Sequence, residues 1–88
     1  FYVPNAVTFN GDGINDYFHP RFTGVQEIKG WVFDRWGNVC YTYSNLDDKW
    51  DGKIKGEVVK QDVYVYKFIF KDLKGKKHEK VGHVTVLK

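Results

Sequence analysis

The stretch DVYVYKFIF, residues 62–70, limits the possible folds more than any other part of the chain. Tyr64, Tyr66, Phe68 and Phe70 take every second position, and Val63, Val65, Lys67 and Ile69 fill the places between. Strand side chains alternate between two faces, so this segment carries a row of aromatic rings on one side. Aromatic and β-branched residues suit a pleated surface better than a helix. Such a strand must be covered, and 88 residues allow one core and one domain, expected to span 1–88. A chain this short buries roughly 60–65% of its unfolded surface, enough for modest stability.

The rest of the chain repeats the theme. FYVPNAVTF is extended, and Pro4 confines it to an edge or a bulge. DYFHPRF is a short extended piece broken by Pro20. IKGWVFDRW is a strand with Trp31 and Phe33 on one face and Val32 on the other, and WGN closes a hairpin onto VCYTY. Gly37 and Asn38 are expected to supply that turn's positive φ angles. SNLDDKWDGKIKGE reads as a polar connection anchored by Trp50, and Lys74-Gly75 marks another turn before the final strand VGHVTVLK. Turn signals every eight to twelve residues or so, with no helix-period segment, predict an all-β fold. The expected architecture is an immunoglobulin-like antiparallel β-sandwich of about seven strands.

Charge is uneven. Residues 1–50 carry a net −2 and residues 51–88 a net +5. A basic half suits an acidic partner, although lysines also guard strand edges against aggregation. Cys40 is the single cysteine, so no intradomain disulfide and no thiolate zinc site can form. Its alternating context predicts a small buried hydrophobe. No stretch has the length of a membrane helix, and no signal peptide is recognisable. The start at Phe1, without an initiator Met, suggests a piece excised from a larger exported protein. The domain is expected to be a monomer.

Catalysis finds little support. His19, His78 and His83 lie in separate segments, and the one serine, Ser44, is in no nucleophile elbow. Lysines interleaved with aromatics also occur in stacking platforms for nucleic acid, but the RNA-recognition signature is missing, and no nucleic-acid partner is expected. Carbohydrate binding is the alternative reading, as a sandwich module of a surface enzyme or adhesin. It requires two exposed, coplanar rings among Trp31, Trp36 and Trp50, whereas tryptophans in small sandwiches usually anchor the core.

The segment NGDGIND crowds Asn10, Asp12, Asn15 and Asp16 around two glycines. Hard cations take oxygens from such groups, and calcium is the candidate ion. The EF-hand pattern fails at Ile14, and no Glu closes the loop. A turn capped by its own side chains explains the same residues. The residues leave both readings open.

Four motifs occur in order: PNAVTFNGDGIND, DRWGNVCY, WDGKIKGEVVKQDVYVYKF and GHVTVLK. Together they resemble the type B C-terminal domain of the Bacteroidetes type IX secretion system, also called the gliding motility-associated C-terminal domain. The resemblance covers essentially the whole chain. Phe9 stands where the family has a second proline, Asp34 where it has Asn, and Lys60 and Asp62 where it has a proline and a glycine. The resemblance implies a non-enzymatic sorting signal at the end of a large cargo protein. The cargo reaches the periplasm by a separate leader. The translocon or its sorting components then read the domain, and the product is secreted or held at the cell surface. By the same resemblance, Gly82, His83, Val84, Thr85, Val86, Leu87 and Lys88 form the partner-binding end. A free sheet edge there would let a partner strand extend the sheet.

Overall fold

The computed structural model describes residues 3–9 and 17–87. Among them are seven strands and no helix: β1 (Ala6–Thr8), β2 (Val25–Phe33), β3 (Val39–Tyr43), β4 (Lys53–Ile54), β5 (Glu57–Val58), β6 (Asp62–Asp72) and β7 (Lys77–Leu87). Five of these form one sheet in the order β1-β7-β6-β2-β3, and β4 pairs with β5. The all-β, seven-strand expectation holds.

The aromatic strand sits at the centre. β6 pairs antiparallel with β2 on one side and with β7 on the other, the latter without a register shift from Asp62↔Val86 to Lys71↔Lys77. Tyr64, Tyr66 and Phe68 are buried on its inner face, as alternation requires. Ile28 and Val32 of β2, Tyr43 of β3 and Val84 and Val86 of β7 complete that layer. Gly30 is the flat place in it. A Cβ there would run into the ring of Phe68, so only a residue without a side chain fits.

Loops supply most of the opposing layer. Phe18 and Trp50 form an isolated antiparallel bridge, with Phe18 N donating to Trp50 O at 2.7 Å and Trp50 N donating to Phe18 O at 3.2 Å. Both rings and Pro20 are fully buried. Trp50 meets Tyr64 edge-on at 5.8 Å and Phe9 at 5.3 Å, and its indole N–H donates to Lys53 O at 3.3 Å. An aromatic pair of this kind adds about 0.5–1.5 kcal/mol beyond area burial. Tyr43 donates its hydroxyl to Phe18 O, and burial pushes that phenol's pKa up. Trp50 therefore anchors the polar connection, as its sequence context predicts.

Three details differ from the sequence reading. β1 runs parallel to β7, not antiparallel. Nearly the whole chain separates the two strands, so no hairpin fixes their direction. The β2–β3 turn uses one positive φ, at Gly37 (83°), and none at Asn38. Its three-residue loop with a register shift at Phe33 needs one left-handed residue. The β4–β5 turn is the one with two, Lys55 (53°) and Gly56 (83°), as a two-residue hairpin loop requires.

Candidate partner interface

The terminal motif occupies the last part of β7. Val84 lies opposite Tyr64 and Val86 opposite Asp62, and both valines are fully buried. Gly82 faces Tyr66, whose hydroxyl and Cζ fill the space a Cβ would take. These three residues hold the domain together. His83 and Leu87 are exposed, and Thr85 is half-buried. Lys88 lies outside the described residues, and so do Asn10, Asp12, Asn15 and Asp16, the candidate calcium ligands.

The very end of β7 is not a free edge. Thr85, Val86 and Leu87 pair with Ala6, Val7 and Thr8 of β1, and Thr85 N donates to Asn5 O at 2.9 Å. β6 holds the other side. A partner strand cannot add at 85–87 without displacing β1. The alternation of Val84 and Val86 already signalled a half-buried strand. The parallel pairing of β1 with β7 had no local signal.

Two hairpin turns carry carboxylates that the motif reading missed. In the β2–β3 turn, Asp34 Oδ1 accepts from Trp36 N at 2.8 Å and Asn38 N at 2.9 Å. In the β6–β7 turn, Asp72 Oδ1 accepts from Lys74 N and Lys76 N, both at 2.9 Å. His78 Nε2 lies 2.9 Å from Asp72 Oδ2, and its ring stacks on Phe70 at 5.1 Å. The amide of Asn38 does most to hold Asp34 below the usual carboxylate range, and the bond from His78 does most for Asp72. Asp48 is held low by the amides of Ser44 and Asn45. Aspartates three residues before Gly37 and Gly75 were the available signal.

Among the described residues, no hydrogen bond joins a histidine to Ser44 or Cys40. His19 contacts Leu46 O at 3.2 Å, and His78 is engaged by Asp72. Cys40 is half-buried against the core, and desolvation pushes its thiol pKa up. It packs against the core but is only partly covered, less than the buried position its sequence context predicts. Of the three indoles, Trp50 is fully buried, Trp31 is half-buried and Trp36 is 79% exposed. The exposed pair that carbohydrate stacking requires is not formed. Arg35 lies over the Trp36 ring at 5.7 Å.

The geometry defines a small all-β domain with one buried aromatic and aliphatic core and two hairpin turns fixed by side-chain caps. The family model described as CHU_C, type IX secretion signal domain, matches residues 1–86, and the chain belongs to that family. No curated protein matches the chain. The domain is a secretion signal, which implies interaction with the type IX sorting machinery, fusion to a cargo and export toward the cell surface or the medium. Its family is not an enzymatic one. Among the described residues, no helix is long and apolar enough to cross a membrane.

Proposed function

We propose that this domain is the terminal sorting module of a larger exported protein and acts as a folded object. The cargo enters the periplasm by its own leader. A component of the type IX translocon reads the module there, and the cargo passes to the outer face of the cell, secreted or attached. The family match over residues 1–86 carries this reading. The burial of Val84 and Val86 supports the folded form, since a receptor cannot touch those side chains without unfolding the domain. The contacts left to a receptor at the terminal motif are His83, Thr85, Leu87 and the adjoining surface.

The test is a periplasm-targeted reporter fused to the 88-residue chain, expressed with and without the translocon pore. The reporter is expected outside the cell only when the pore is present. Retention in the periplasm with the pore intact, or release without it, would sink the proposal.

A further inference from the structure

The edge of β7 changes character along its length. Thr85 N donates to Asn5 O, so the amide of Thr85 points away from β6. Backbone groups alternate sides along a strand. The N–H and C=O groups of His83, Val81 and Glu79 therefore point to the same outward side. β1 covers that side only opposite Thr85–Leu87. Among the described residues, no strand covers it from Lys77 to His83. In the β1–β7 register Pro4 would come opposite His83. The pairing stops short of that position, at Ala6↔Thr85. The strand itself is regular, without a bulge against β6, and Val81 is 59% exposed on it.

Charge selects what can pair there. The hairpin from residue 71 to 80 carries Lys71, Lys74, Lys76, Lys77 and Lys80. Its two acids are already engaged: Asp72 with His78 at 2.9 Å, and Glu79 with Lys67 at 3.6 Å. Among the described residues, none of the five lysines joins an ion pair. A second copy would bring lysines against lysines, which opposes edge-to-edge pairing. A strand rich in carboxylates would meet its complement.

We propose that the outward edge of β7 from Lys77 to His83 is a docking strand for an extended, carboxylate-rich segment of a partner protein. The segment adds to the sheet in line with β1. Main-chain bonds give the contact its affinity, and the lysines give it selectivity for acidic sequences. This inference rests on the reading of the chain as a secretion signal, and it locates the surface through which the signal is read.

The 88-residue chain, labelled with nitrogen-15, is titrated with a synthetic peptide of alternating Val and Glu and with its Val–Lys counterpart. In the free chain the amides of Glu79, Val81 and His83 are expected to exchange rapidly with solvent. The Val–Glu peptide should shift and protect them, and the Val–Lys peptide should not. Val81→Pro removes one outward donor and should abolish the effect. Lys77→Glu with Lys80→Glu keeps every amide and should weaken binding about tenfold. The idea is overturned if these amides are protected in the free chain. It is equally overturned if the acidic peptide binds elsewhere, or if the charge-reversed chain binds it as well as the parent does. In the reporter assay, export of the parent and of both variants alike would overturn edge docking and leave the secretion signal standing. Failure of the parent itself would count against the signal reading.

Discussion

Asp34 and Asp72 hold the same place in two hairpin turns at opposite ends of the sheet. Each accepts two backbone amides on Oδ1, and the glycine three residues on, Gly37 or Gly75, has φ 83° and donates back to the aspartate's carbonyl. Each aspartate amide also donates to the carbonyl four residues ahead, at 2.9 Å. The two longest strands are thus joined by the same device that joins β2 to β3. Its hydrogen bonds are stronger when the carboxylate is ionised.

Acid should therefore loosen both turns. The folded state holds Asp34, Asp72 and Asp48 below their ordinary value, which is about 3.9. A carboxyl depressed on folding contributes stability above its unfolded pKa, and that contribution is lost as pH falls through the folded value. Stability from these groups should be level above about pH 5 and fall from about pH 4 downward. Denaturant midpoints across pH would show this. Asp72→Asn should flatten the acid limb, and an unchanged limb would remove Asp72 from the account.

Gly82 should not tolerate a side chain. A Cβ there would lie 2.7 Å from Cζ of Tyr66 and closer still to its hydroxyl. Gly82→Ala is expected to cost about 1–3 kcal/mol, the usual range for overpacking. In a domain of this size that lowers Tm by about 4–8 °C per kcal/mol. Tyr66→Phe removes the nearest atom, so the double variant should recover part of the loss, and thermal melts of the four chains give the coupling. Strict additivity would mean the two residues do not interact as the geometry says.

Trp50 and Trp36 should behave as opposites. Trp50 is fully buried and bridged to Phe18, whereas Trp36 stands on a turn tip. Trp50→Ala should cost about 3–5 kcal/mol, enough to unfold a small domain, while Trp36→Ala should change stability by no more than about 0.5 kcal/mol. Urea denaturation separates the two. Equal losses would contradict the packing described.

Lys55 offers a gain. Its φ of 53° is unusual for a residue with a side chain, and Gly56 follows it at 83°. Asn-Gly is the favoured pair for a two-residue loop of this kind. Lys55→Asn should raise stability by about 0.5–1 kcal/mol, read as an upward shift in Tm. A lower Tm would mean that Lys55 has a contact beyond its turn.

Alternation made the sheet's centre legible. The inner face of β6 is the aromatic row that the spacing of Tyr64, Tyr66 and Phe68 predicts. Pro4 placed β1 at an edge, where it lies. β7 begins at Lys77, before any apolar alternation, because its first half is held by register with β6 and not by burial. The parallel pairing of β1 with β7 and the Phe18–Trp50 bridge join residues far apart in sequence, and local patterns carry no trace of them. The terminal motif was legible as a motif, but the division of its residues between core and surface emerged from the pairing.

The most direct test of the central claim compares a folded signal with a linear one. A periplasm-targeted reporter carries the whole chain, the whole chain with Trp50→Ala, or residues 82–88 alone. The account predicts export by the intact chain only, because Val84 and Val86 act through the core they complete. Export by the terminal residues alone, at the level of the intact chain, would contradict it.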